Sequence, residues 1–291
     1  MIIMRSSRWR PILSLSVLII TITFFVYYFV SHPSVRQQLS RTSLPVIGLL
    51  LVLYFGTVGA LAMINSATLR LCKINIDSSD SLLLTAYSSI INFFGPLQSG
   101  PAFRAVYLKK RYSLNLKNYT VATLVYYFFY GAFSGLFLLS GYIRSWLLAL
   151  VVVSIVALLL ISRDRRAKQR LAALDLHAWY YLALTTFLQV GLVCLIYFTE
   201  LKSIAPGTSF SQAVIYTGAA NLALFVSITP GAIGFREAFL LFSRHLHHIP
   251  ASTIVAASIL DRAMYIILLL IMALYIFGTH AQRQLKARMG S

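Results

Sequence analysis

The stretch Thr229-Pro230-Gly231-Ala232-Ile233-Gly234-Phe235-Arg236-Glu237 lies between two strongly apolar segments, yet it carries a proline, two glycines and a charged pair. In hydrocarbon an unpaired backbone amide is expensive, so a helix broken there must line a cavity or be buried in protein. An arginine and a glutamate at membrane depth are costly too, and mark a functional site by default. The first half of the chain holds an echo: Gly95-Pro96-Leu97-Gln98-Ser99-Gly100-Pro101-Ala102-Phe103-Arg104. Both stretches read Pro-x-x-x-Gly followed shortly by Arg. Taken singly, each reads equally well as a loop between helices with its arginine at the headgroups. The duplication favours a paired, buried feature.

Working outward, the chain has 291 residues, 59% of them hydrophobic, and a mean hydropathy of +0.79. Apolar runs of about 20 residues, enough to cross ~30 Å of hydrocarbon, recur along it. The fold class is therefore an all-α polytopic membrane protein, with about six transmembrane helices and two re-entrant broken-helix hairpins arranged as an inverted repeat. A net charge of +18 would direct a soluble protein to nucleic acid. In a chain this apolar, Lys and Arg instead gather in cytoplasmic loops, where they meet anionic lipid headgroups, and no nucleic-acid partner is expected. Cys72 and Cys194 are too few for a disulfide framework and lie near no metal-ligand spacing; they read as free thiols packed among helices, with no cofactor or metal.

Spans are expected over residues 12–30, 44–65, 119–140, 146–161, 179–198 and 251–277. Hairpins are expected around Pro96 (82–108) and Pro230 (210–242). Arg5, Arg8 and Arg10, the cluster Lys109-Lys110-Arg111, the run 163–170 and the tail 281–291 are basic, which sets both termini in the cytoplasm of a multi-pass cell-membrane protein. The first span lacks a cleavage site and reads as uncleaved. One membrane domain results, with pseudo-repeats 1–141 and 142–280 inverted relative to each other. Glu200 and Lys202 are expected to close a span on the outside, and His245, His247 and His248 to sit in a turn returning to water. Small residues Gly56, Gly59 and Ala60, and the pair Gly131-x-x-x-Gly135, would let neighbouring helices approach. Tyr126, Tyr127 and Tyr130 read as packing residues ahead of cavity lining.

Carrying a lipid headgroup through a bilayer requires a polar path that shields charge. Arg104 and Arg236 are each suited to hold a phosphate by bidentate, charge-assisted hydrogen bonds. Amides freed at the turns around Pro96, Gly100, Pro230 and Gly234, and helix N-terminal ends, would assist. Glu237 would pair with a cationic headgroup, with an arginine, or with a coupling proton. Asp261 and Arg262 are adjacent, so they point about 100° apart on a helix and cannot satisfy each other; Glu237 is the favoured partner of Arg262. The structural alternative for all five charges is mutual pairing that locks the bundle. Asn92, Gln98, Gln189 and Asn221 fit either a path or interhelical hydrogen bonding.

At Pro96-x-x-x-Gly100-x-x-x-Arg104 and Pro230-Gly231-x-x-Gly234-x-Arg236-Glu237, with Arg262 following in Ile259-Leu260-Asp261-Arg262, the chain resembles the flippase-like membrane domain of lysylphosphatidylglycerol synthases. The resemblance covers nearly the whole chain. It departs at Pro101, where an acidic residue is usual, and at Ala232, where a glycine is usual. It implies translocation of lipids between leaflets, aminoacylated phospholipids and polyprenyl-linked sugars among them. Without the soluble synthase domain the chain is not expected to aminoacylate a lipid itself. A second copy of the chain and a synthase are candidate partners. The competing classes are a scaffold or accessory subunit of a cell-envelope lipid pathway, and a polytopic lipid-modifying enzyme, for which the three clustered histidines lack a carboxylate at ligand spacing.

Overall fold

The computed structural model describes residues 40–94, 99–141, 176–226 and 235–289, with isolated positions between 19 and 37. The helices, in order, are α1 (Leu44–Leu71), α2 (Ser78–Phe94), α3 (Ser99–Tyr112), α4 (Leu116–Leu139), α5 (Leu176–Ile204), α6 (Phe210–Val226), α7 (Phe235–Phe242), α8 (Arg244–His247) and α9 (Ala251–Met289). Among the described residues, four are long and apolar enough to cross a membrane: α1, α4, α5 over His177–Ile204 and α9 over Ala251–Thr279. The protein is an all-helical multi-pass membrane protein. The expected spans at 12–30 (isolated helical positions apart) and 146–161, the basic run 163–170, and both turn tips with Pro96, Pro230 and Gly234 lie outside the described residues.

Local chemistry sets the helix limits. Helix α1 runs past the expected residue 65 until Lys73 adopts φ 58°, where the Ile74 amide donates back to the Leu69 carbonyl at 2.9 Å. That left-handed cap satisfies a carbonyl the helix would otherwise orphan. Asn115 caps α4, accepting from the Lys117 and Asn118 amides at 3.0 and 3.4 Å. Helix α9 continues through the residues read as a separate basic tail. No proline interrupts it, and its Ala, Gln, Lys and Arg residues are good helix formers.

The bundle core forms where α1, α5, α6 and α9 meet, around Leu50, Leu201, Ala220, Ile254 and Leu260. Helices α1 and α5 run antiparallel: the Arg70 guanidinium at one end of α1 sits 5.4 Å from the Tyr181 ring near the start of α5. Gly56 admits the Leu192 methyls to 3.4 Å of where a Cβ would stand. The tight crossing of α4 depends on Gly218 of α6, not on the Gly131/Gly135 pair. A Cβ at Gly218 would collide with the Leu138 backbone and the Ser134 carbonyl, whereas Gly135 has open space.

Helices α2 and α3 fold into a hairpin whose two ends meet. Asp80, in the first turn of α2, accepts from Arg111 Nη2 at 2.9 Å and Tyr112 Oη at 3.2 Å, in the last turn of α3. The chain therefore enters and leaves on one side. Near the tip, a Cβ on Gly100 would lie 2.7 Å from the Ser88 carbonyl oxygen, so only glycine permits this approach. Helices α6, α7 and α8 make the second hairpin: the His247 ring of α8 packs edge-on to Tyr216 of α6, with centroids 5.4 Å apart. His247 is fully buried, contrary to its expected return to water. The Ile249 amide donates to its Nδ1 at 3.2 Å, leaving Nε2–H to donate to the Leu240 carbonyl at 3.2 Å.

Candidate functional site

A cavity of about 310 Å³ lies between the two hairpins and is closed by α1, α4, α5 and α9. Residues flanking both hairpin tips reach toward it. Phe93 of α2 packs 5.6 Å from Tyr265 of α9, and Phe225 of α6 packs 5.9 and 5.7 Å from Tyr127 and Tyr130 of α4. Tyr126, Tyr127 and Tyr130, expected to pack ahead of lining a cavity, do both: they belong to a packed cluster and line the cavity. Asn92, Gln189 and Asn221 line it too, whereas Gln98 lies outside the described residues.

Four charged residues from the second hairpin and α9 form one network. Arg236 donates Nη2 to Asp261 Oδ2 at 2.5 Å and Nη1 to Tyr197 Oη at 3.2 Å. Tyr54 Oη donates to the other oxygen of Asp261 at 2.6 Å. Arg262 donates Nη2 to Glu237 Oε1 at 2.5 Å, which is the pairing expected from sequence, and Arg236 Nη2 lies 3.9 Å from the same oxygen. Two cations thus face two carboxylates, and the network is electrically balanced. The guanidinium of Arg236, expected to hold phosphate, is engaged inside the protein. The sequence alone names no partner for Asp261; the structure gives it Arg236 and Tyr54.

Arg104 has different surroundings. Its Nη1 donates to Asn65 Oδ1, whose amide in turn donates to Thr85 Oγ1 at 2.7 Å. Its Nε is buried with no hydrogen-bond partner, and no carboxylate among the described residues pairs with it. Gly100 supports this side of the cavity by donating its amide to Asn92 Oδ1 at 3.3 Å. One helix, α1, touches both centres, through Tyr54 and Asn65. At ~1.5 Å rise per residue these contacts are about 16 Å apart along its axis.

Glu200 lies in the last turns of α5, near the expected end of that span. It is wholly buried, and neither carboxylate oxygen has a hydrogen-bond partner among the described residues. It is buried because α6 covers this end of α5, with Phe210 edge-on to Phe198 at 5.4 Å. Among the described residues no three His, Cys, Asp or Glu side chains are grouped to hold a metal ion.

The described residues thus form a multi-pass helical membrane bundle in which two helical hairpins flank a cavity lined by Arg104, Arg236, Asp261 and Arg262. Residues 12–273 match the family described as Lysylphosphatidylglycerol synthase TM region, and the chain belongs to that family. The family is membrane-resident and lipid-related. No curated protein matches the chain.

Proposed function

We propose that the protein translocates an anionic or zwitterionic lipid between membrane leaflets. The candidates are an aminoacylated phospholipid or a polyprenyl-phosphate-linked sugar, carried by a transporter with no catalytic step. The observation that carries this reading is Arg104, a cation with no carboxylate partner among the described residues, lining a polar cavity inside a helical membrane protein. An arginine at membrane depth with no counter-ion is costly, and such a residue marks a functional site by default. A phosphate brought to Arg104 gains charge-assisted hydrogen bonds, and the hydroxyls and amides of the cavity replace headgroup hydration. Acyl chains remain in lipid while the headgroup passes between the hairpins. Within this reading the protein resides in the cell membrane, both termini are cytoplasmic and the basic loops contact anionic headgroups. A second copy or a synthase would be its protein partner.

Purified protein reconstituted into vesicles with trace fluorescent phospholipid tests this reading. A membrane-impermeant quencher should reach inner-leaflet label in vesicles containing protein and not in empty ones. Equal protection of the inner leaflet in both would contradict translocation.

A further inference from the structure

The charges around the cavity discriminate among headgroups, and on the translocation reading they narrow the substrate. Three arginines line the cavity, Arg104, Arg236 and Arg262, against one carboxylate among the described lining residues, Asp261. Both oxygens of Asp261 are occupied, one by Arg236 and one by Tyr54. Glu237 is held by Arg262. The first hairpin offers no carboxylate beside Arg104, since Pro101 lines the cavity one turn before it. Glu200 is wholly buried and is not among the lining residues. Among the described lining residues a headgroup amine would therefore meet one cation without a carboxylate partner and no unengaged carboxylate, and at close range in low dielectric that repulsion is severe.

The neutral polar groups point the same way. Asn221 lines the cavity with both side-chain polar atoms buried and without a hydrogen-bond partner. A buried amide left unpaired is costly, and a ligand hydroxyl, which both donates and accepts, would satisfy it. Ser88, Ser89 and Thr85 add hydroxyls on the opposite wall, and tyrosine rings supply flat surfaces. We infer that the cavity selects a lipid-borne phosphodiester headgroup that carries hydroxyls and no amine, of the glycerol or sugar type, with Arg104 on the phosphate and Asn221 on a headgroup hydroxyl. Aminoacyl headgroups are disfavoured.

Two lipids differing only in an amine decide this: phosphatidylglycerol and its lysyl ester, each acyl-labelled, in vesicles containing the protein. The expected result is translocation of phosphatidylglycerol about tenfold faster or more, the discrimination of roughly one lost charged hydrogen bond. In Arg104→Gln that ratio should collapse toward one. Equal or faster movement of the lysyl ester by the wild-type protein overturns the inference while leaving translocation intact. Thermal stabilisation of the detergent-solubilised protein by short-chain forms of both lipids, and by glycerol 3-phosphate, separates binding from transport. Selective stabilisation by short-chain phosphatidylglycerol with no movement of either lipid upholds the site's preference and overturns the translocation reading. Equal stabilisation by both lipids, or by glycerol 3-phosphate alone, overturns the inference.

Discussion

The two hairpins carry the same motif and use its arginine in opposite ways. Arg236 of the second hairpin is enclosed by Asp261, Tyr197 and Glu237, and its charge is neutralised within the protein. Arg104 of the first has an asparagine for company and an unused Nε. The difference traces to single positions: α9 places Asp261 opposite Arg236, while the first hairpin has Pro101 and, among the described residues, no carboxylate paired with Arg104. Duplicated sequence thus carries one centre neutralised within the protein and, on the proposed function, one binding centre, both in contact with α1.

The largest expected effect is on the structural centre. Asp261→Asn strands Arg236 in low dielectric, and losing one partner of a buried pair typically costs about 3–5 kcal/mol. Thermal unfolding in detergent should show that loss, while Arg104→Gln, which removes no ion pair, should unfold near the wild-type temperature. Equal destabilisation by the two would erase the contrast. Glu237→Gln and Arg262→Gln should each destabilise, and the double variant should recover about 0.5–3 kcal/mol relative to the sum. Strict additivity in that cycle would mean the 2.5 Å contact contributes nothing.

Gly100→Ala sharpens the picture of the first hairpin. The added methyl would stand 2.7 Å from a backbone carbonyl that cannot rotate away, so α2 and α3 must separate. Overpacking of this kind costs about 1–3 kcal/mol, and here it should also slow translocation by moving Arg104. Gly135→Ala, which meets open space, is the control.

A smaller effect belongs to His247 at the polar end of the second hairpin. Burial lowers its pKa from the ordinary 6.5. Folding therefore favours the neutral ring, so its contribution is complete above pH 6.5 and is lost as the pH falls toward the depressed value. Melting temperature should decline between about pH 7 and pH 5, and His247→Gln should flatten that slope. An unchanged slope in the variant would assign the decline to other groups.

Much of this was legible in the sequence because the apolar runs and their Pro-Gly interruptions answer to local rules. The four long helices and the Glu237–Arg262 pair follow from them. The engagement of Arg236 did not, since it depends on which residue of α9 faces α7, a tertiary fact. Tyr197 on α5 and Tyr54 on α1, which contact Arg236 and Asp261, also carry a signal in the sequence. Gln189, Val193, Ile196, Tyr197 and Glu200 recur at helical spacing on α5, which carries the inward face to Glu200. Tyr54, Thr57, Leu61 and Asn65 do the same on α1, a polar stripe through an apolar helix. That Glu200 is buried at the end of its span depends on the covering helix α6, a tertiary fact that the apolar run alone does not carry.

The central claim is that Arg104 holds the headgroup while Arg236 holds the fold. Translocation rate and melting temperature measured together on Arg104→Gln test it most directly. Losing one charge-assisted phosphate contact of about 1.5–3 kcal/mol should slow translocation about ten- to a hundredfold with the melting temperature near wild type. Wild-type translocation by a stably folded Arg104→Gln protein would contradict the account.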